Sequence, residues 1–275
     1  MPVLSWARFA ADPLPHGWSG AFAALPFAIW FYLAIEGIAN VAEDATDPQR
    51  DLPRGFVLAM ATLVVLTAIT LFGAVGAAGW HAVVYPDPGN LAVTSDSPLP
   101  LAIGQVLMHG PLFKLMTSIG LIGLLASFHG ILIAGSRALL EFGRAGYAPA
   151  VLGQVNARTK TPIAALFANM VIGLIVLAIG RTDDIIIVTV FGALTLYILS
   201  SAAVLRLRKT APDLARPYKT PWYPVTPVIA LVLSVVCVIA MADAHPTLAL
   251  VYVAMVAGSL GLFLVFVPKA RRTRF

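Results

Sequence analysis

Residues 56–78 read FVLAMATLVVLTAITLFGAVGAA, a run of 23 residues that contains no charged side chain and no proline. A helix of this length rises about 35 Å, which is enough to cross the roughly 30 Å hydrocarbon core of a bilayer. Lipid offers no hydrogen-bond partner to the backbone, so a helix, which pairs its own backbone groups, is the structure that suits such a run. The stretch therefore predicts a transmembrane helix.

Six further apolar runs of similar length predict a polytopic, all-α membrane protein with about seven transmembrane helices. The predicted membrane domain covers residues 22–267, between an extracellular segment at 1–21 and a cytoplasmic tail at 268–275. We place the seven spans at residues 22–42, 56–78, 115–140, 163–179, 185–205, 225–242 and 248–267. Residues 79–114 predict an outside loop with a surface helix at 99–108. Gly120 with Gly123, Gly130 with Gly135, and Gly258 with Gly261 predict close helix packing.

The composition excludes most water-soluble classes of protein. Of 275 residues, 59% are apolar and 11% are charged, against about a quarter charged in a soluble domain. The net charge of +5 is typical of basic loops in a membrane protein and does not indicate nucleic acid. No metalloprotease, serine hydrolase or P-loop motif occurs, and Cys237 stands alone. We expect no enzyme activity, no metal and no cofactor.

The distribution of Lys and Arg predicts the orientation. Loops on one side carry three of these residues (Arg8, Lys114 and Arg181), whereas loops on the other side carry 14. The positive-inside rule puts the C-terminus in the cytoplasm of a multi-pass protein of the plasma membrane, and with seven spans the N-terminus lies outside. Residues 1–21 do not read as a signal peptide, so we expect that further spans precede Met1.

Glu36 is the candidate functional residue of the predicted spans. Arg137, the other normally charged residue there, stands near a span end, where its long side chain can reach water. Glu36 stands near the middle, where an ionised side chain costs roughly 2.5 to 3.5 kcal/mol. It is therefore either protonated or facing a wet cavity where it meets a cation. Both states suit a carrier of protons and amines; the alternative is a structural hydrogen bond to a neighbouring helix.

Aromatic and small residues surround this carboxyl in the string WFYLAIEGIAN at residues 30–40. Gly37 weakens the helix, and a break there would free backbone groups for a substrate. Trp30 and Tyr32 could face a substrate cation with a ring, although singly such aromatics also face lipid. His129 places an imidazole deep in the third span, where a proton relay and a structural role remain open.

Two long motifs resemble one transporter family. The string ALPFAIWFYLAIEGIANVAEDATDPQRDLPRG resembles the sixth span and following loop of amino acid, polyamine and organocation permeases. ASFHGILIAGSRALLEFGRAGYAPAVLGQVNARTKTP resembles their eighth span and the loop after it. The strings AIWFYLAIEG, SDSPLPLA and ASFHG resemble sequences of the ethanolamine permease branch.

The resemblance implies the second half of a LeuT-like inverted-repeat fold, covering spans six to twelve of a carrier that works by alternating access. Its pocket lies between unwound stretches of the first and sixth spans. The sixth-span part maps here to Tyr32, Leu33, Ala34, Ile35, Glu36 and Gly37, with Trp30 just before it; the family often has Gly where this chain has Ala34. The first repeat is missing, so a partner chain or further sequence must supply it for transport.

The sequence thus predicts a permease half for a small amine or amino acid, with a proton as coupling ion through Glu36 and His129. A membrane fragment that only assists assembly is the main alternative. A retinal receptor lacks support because residues 248–267 contain no lysine for a Schiff base. A membrane-embedded enzyme lacks it because Glu36, His129 and Asp243 are too few and too dispersed.

Overall fold

The structure is a computed structural model that describes residues 4–10, 13–14, 16–87, 89–95, 97–108, 110–216 and 218–266. These residues form helices and no β-strand, so the all-α prediction is confirmed. The predicted tail at 268–275 lies outside the described residues. The α-helices are α1 (Ala7–Ala10), α2 (Gly17–Ala23), α3 (Leu25–Trp30), α4 (Pro48–Ala78), α5 (Trp80–Val84), α6 (Pro98–Leu107), α7 (Pro111–Ala145), α8 (Ile163–Ile179), α9 (Thr182–Thr210), α10 (Val225–Ala244) and α11 (Pro246–Phe266), with 3₁₀ helices at Ile35–Asp44 and Ala150–Gly153.

Helices lie on each of the seven segments predicted as spans. Within the described residues, five helices (α4, α7, α9, α10 and α11) are long and apolar enough to cross a bilayer. The number rises to six if Gly17–Ala23 and Leu25–Ala39, which are bent relative to each other, form one broken span. Helix α8 occupies the fourth segment, but its 17 residues rise only about 25 Å. A polytopic membrane protein is confirmed, and the count of seven spans stays a prediction.

Large apolar faces are open on three of the long helices. The most apolar windows of α4, α7 and α11 contain no buried residue within the described part of the chain. Water does not tolerate apolar surface of this extent, so lipid or further protein must cover it. The glycines predicted to pack closely follow the same pattern. Gly135 lies against Asn169 of α8, whereas a Cβ at the other five would meet no described atom within 4 Å.

The chain divides into two compact units. In the first, Met1–Gly20 with Val57–Gly130, the described N-terminal residues pack on the end of α4. The Arg8 guanidinium donates to the carbonyls of Gly76 (2.7 Å) and Ala77 at the negative end of a helix, and Ser5 N–H also donates to the Gly76 carbonyl (3.0 Å). The rings of Trp6, Phe9 and Phe72 cluster beside this contact. A short helix, α6, covers most of residues 99–108 as predicted.

The second unit, Ala21–Phe56 with Ile131–Phe275, is organised around α9. Helices α3, α10 and α11 pack on α9. Their shared core consists of aliphatic and aromatic side chains, namely Ile187, Val190, Phe191, Leu194 and Met241, with Ile29 and Leu33 packed against it. Because α3 is anchored in this core, the chain that follows it is held beside the middle of α9.

Candidate functional site

The α-helix that leads to Glu36 is interrupted by a four-residue break at residues 31–34. Helix α3 ends at Trp30, residues 31–34 form turns, and a 3₁₀ helix starts at Ile35. The turns are closed by short-range bonds from Tyr32 N–H to the Ile29 carbonyl (2.9 Å) and from Gly37 N–H to the Ala34 carbonyl (3.0 Å). Backbone that is not α-helical therefore lies directly beside the candidate carboxyl.

The break is centred on Ala34 and not on Gly37. Ala34 has φ 71° and ψ −3°, a left-handed conformation that costs an L-residue with a Cβ about 1 kcal/mol or more. Gly37 lies inside the 3₁₀ helix, where an added Cβ would sit 3.5 Å from the Cβ of Ala134 in α7. The expected break at Gly37 is thus wrong by three residues, and an alanine at position 37 would make an ordinary van der Waals contact with α7.

The strain at Ala34 leads to a stability prediction. Ala34→Gly should stabilise the chain by about 1 kcal/mol, because glycine adopts positive φ without a Cβ clash. Ala28→Gly, in the regular part of α3, should destabilise it by about 1 kcal/mol through lost helix propensity. Thermal unfolding in detergent measures both variants. Equal lowering of the unfolding temperature by the two substitutions would contradict the strained bend.

Tyr197 of α9 is the direct partner of the carboxyl. Its hydroxyl donates to Oε2 of Glu36 at 3.3 Å, and both side chains are half-buried. Tyr197 stands one residue from the middle of α9, about 22 Å from the N-terminal end of that helix and about 20 Å from its C-terminal end. The contact therefore lies at the depth of the hydrocarbon core. Oε1 of Glu36 has no hydrogen-bond partner among the described residues, so it is available to a proton or a cation.

An open cavity of about 310 Å³ adjoins this pair. Its volume is at the lower end of the range for small-molecule sites. The lining is mainly aliphatic with two phenol rings, from Ala28, Ile29, Tyr32, Leu33 and Tyr197. Tyr197 belongs both to the lining and to the hydrogen bond with Glu36, so this phenol connects the cavity to the carboxyl.

A second phenol pair reinforces the same region of α9. Tyr252 of α11 donates its hydroxyl to Oγ1 of Thr195 at 2.8 Å, and its ring stacks on Phe191. Among the residues of 4–266 that the structure describes, no three His, Cys, Asp or Glu side chains form a group suited to a metal ion. The chemistry on view is that of one carboxyl, phenols and an apolar cavity.

The structure brings together some of the site residues predicted from sequence. Tyr32 and Leu33 line the cavity, and Ile35, Glu36 and Gly37 follow the bend half-buried. Trp30 is 42% exposed and is not part of the lining. His129 lies in α7, in the first unit, exposed and without a hydrogen bond to any residue the structure describes.

Sequence reasoning missed Tyr197, Ala28 and Ile29. A usable signal existed for Tyr197, because a phenol in the middle of an apolar span needs a hydrogen-bond partner. Ala28 and Ile29 carried no such signal, since small and aliphatic residues are common throughout the spans.

A bent, discontinuous helix with a midplane carboxyl is consistent with the transporter resemblance. A family profile described as "Amino acid permease" matches residues 4–265. The chain belongs to this amino acid permease family. The family consists of transporters and not of enzymes. The resemblance to permeases and the expectation that the chain is not an enzyme are therefore both confirmed.

Individual relatives of this permease chain are distant. It is 27% identical over 234 residues to an uncharacterized transporter of Rhizobium meliloti, covering 84% of this chain and 48% of the relative. It is 25% identical over 230 residues to a branched-chain amino acid permease of Bacillus subtilis, covering 82% and 46%. For the corresponding permease of Lactococcus lactis, the values are 28% over 220 residues, 78% and 44%. The chain spans about half the length of these relatives.

Proposed function

We propose that this permease chain forms one half of a proton-coupled carrier for a small amine or amino acid. The observation that carries the proposal is the Glu36 carboxyl, bound through one oxygen to Tyr197 beside a broken helix and an open cavity. A half-buried carboxyl with a free oxygen can hold either a proton or an ammonium group. Exchange of one for the other couples the two movements.

The cavity suits the rest of such a substrate. With the ammonium group at Oε1 of Glu36, the remaining atoms lie against Ile29, Leu33 and the ring of Tyr32. The break at residues 31–34 separates two helical segments, which we propose move independently during alternating access. His129 is proposed as a second proton-coupling residue, and Trp30 as an aromatic neighbour of the substrate.

Ethanolamine is the proposed substrate because the sequence motifs resemble those of the ethanolamine permease branch. A second candidate, a branched-chain amino acid, is favoured by the aliphatic lining of the cavity and by the names of the Bacillus and Lactococcus relatives. Both carry an ammonium group for Glu36. They differ in the apolar volume that the cavity must accept.

Transport is proposed to require protein beyond these 275 residues, since the relatives are about twice as long. Further sequence or a partner chain would supply the other half of the pocket and cover open helix faces. The alternative is a fragment that assists assembly and transports nothing. We propose the plasma membrane as the location, with the C-terminus in the cytoplasm.

Proteoliposome uptake tests the proposal. The chain is reconstituted alone and together with a chain that carries the first half of the family fold, and an outward proton gradient is imposed, because a carboxyl that exchanges a proton for an ammonium group moves the two in opposite directions. We expect accumulation of labelled ethanolamine or leucine only in the combined vesicles, and its loss when a protonophore collapses the gradient. Combined vesicles that accumulate neither substrate would favour the assembly role.

Tyr197→Phe tests the site at single-atom level. A hydrogen bond to a charged group contributes about 1.5 kcal/mol or more, so its loss should weaken apparent substrate affinity about tenfold. Tyr252→Phe is the matched control, because it removes a phenol from the same helix cluster without touching Glu36. Substrate-protection assays against thermal unfolding give both affinities. An equal loss in the two variants would contradict a specific role for Tyr197.

A further inference from the structure

The connection between α9 and α10 is a folded platform held by Arg216. Its guanidinium donates to four backbone carbonyls, those of Leu207, Ala211, Pro212 and Leu214, at 2.6 to 3.0 Å. These carbonyls lie at or just beyond the end of α9, where the helix dipole is negative. Arg216 thus folds the chain back over the helix end, and its charge is used inside the protein.

Two further contacts fix the other side of this platform. The guanidinium carbon of Arg208 lies 4.8 Å above the ring of Tyr223, a cation–π geometry. Thr226 donates its hydroxyl to the Pro221 carbonyl at 2.7 Å. The segment that leads into α10 is therefore tied to α9, and the side chains that point outward from it have defined positions.

The platform exposes cations and aromatic rings together. We call this the basic–aromatic surface; it consists of Arg206, Lys209, Tyr218, Lys219 and Trp222. Trp222 is 83% exposed and Tyr218 is 50% exposed. The three cations are also exposed and form no salt bridge with a residue that the structure describes. Asp213, which is exposed nearby, is the acidic residue of this connection.

The position of this surface selects its partner. Helices α9 and α10 are both of membrane-spanning length and apolarity, so the chain leaves and re-enters the bilayer at one face between them. Trp and Tyr prefer the headgroup layer, and Lys and Arg beside it are attracted to anionic lipid. Five cations against one acid give residues 206–219 a net charge of +4. Lipid headgroups meet both the exposed rings and the cations where the chain re-enters the bilayer.

We propose that the basic–aromatic surface binds the headgroups of anionic phospholipids. The cations contact the phosphates, while Trp222 and Tyr218 insert at the boundary between headgroups and acyl chains. Binding there holds the ends of α9 and α10, and thereby the helix that carries Tyr197. This surface is separate from the substrate cavity.

Lipid titration of the purified chain tests the proposal. Native mass spectrometry in a neutral detergent measures binding of phosphatidylglycerol and phosphatidylcholine to the wild type and to Lys209→Gln/Lys219→Gln. Each lost cation should weaken binding about fivefold, so the pair should weaken phosphatidylglycerol binding roughly 25-fold and leave phosphatidylcholine unaffected. Trp222→Ala should weaken binding of both lipids.

The charge-matched control is Arg158→Gln/Lys160→Gln, a second exposed basic pair on another connection. It should retain wild-type phosphatidylglycerol binding, and all variants should unfold at the wild-type temperature in phosphatidylcholine. Equal losses in the two pairs, or no loss in either, would overturn the proposal. Full competition by soluble glycerol phosphate would also overturn it, because it would indicate a site for a free anion.

Discussion

Glu36→Gln is expected to abolish uptake driven by a proton gradient, with a loss of at least about 100-fold, the scale of removing an essential proton-transfer group. Gln has the shape of Glu, and its amide oxygen can still accept the hydrogen bond from Tyr197. It cannot hold or release a proton, so the proton gradient no longer drives substrate movement. Exchange of labelled for unlabelled substrate across the membrane, which needs no net proton movement, should persist at higher substrate concentrations, because the Gln amide oxygen still accepts a hydrogen bond from the ammonium group but lacks the carboxylate charge.

The matched control is Glu141→Gln. Glu141 is exposed near the end of α7 and pairs with Arg144 at 2.8 Å. Its substitution therefore changes the same chemical group at a position away from the cavity. Uptake and exchange are measured in the same proteoliposomes for both variants. Unchanged driven uptake in Glu36→Gln would reject the proton role, and loss of both activities in Glu141→Gln would indicate a nonspecific effect.

Gly143→Ala is expected to destabilise the chain by about 3 kcal/mol, at the upper end of overpacking costs. A Cβ at Gly143 would overlap the backbone of Gly153 and Leu152, and a Cβ at Gly153 would lie 2.8 Å from the backbone nitrogen of Arg144. No flexible side chain is available to move aside. The end of α7 and the 3₁₀ helix at Ala150–Gly153 must therefore separate.

Gly123→Ala provides the control on the same helix. A Cβ there meets no described atom within 4 Å, so the substitution should gain helix propensity, up to about 1 kcal/mol. Thermal unfolding in detergent compares the two. Closely similar unfolding temperatures would contradict the backbone contact between Gly143 and Gly153.

Helix positions could be predicted from sequence because apolar length determines them. Residues 163–179 form a helix with the predicted bounds, and residues 225–242 lie within Val225–Ala244. The bend could not be located in the same way. Helix propensity favours a break at Gly37, whereas the left-handed residue is Ala34, directly after Leu33, which packs against the core around α9.

The candidate site could be predicted in part. A carboxyl in a span is conspicuous because of its desolvation cost, so Glu36 was visible. Its partner Tyr197 is 161 residues away in the chain, and only tertiary packing brings the two together. Glycine spacing did not predict which glycines pack closely. It indicated close packing at Gly120 and Gly123, where the described chain leaves open space, and it missed Gly143 and Gly153, whose contact crosses a loop.

The most direct measurement is the number of protons released when the substrate binds to the purified carrier in weakly buffered solution. A cation that displaces the proton of Glu36 should release up to about one proton per bound substrate, and Glu36→Gln should release none while still binding. Equal proton release by the wild type and Glu36→Gln would contradict the account, because the proton would then come from another group.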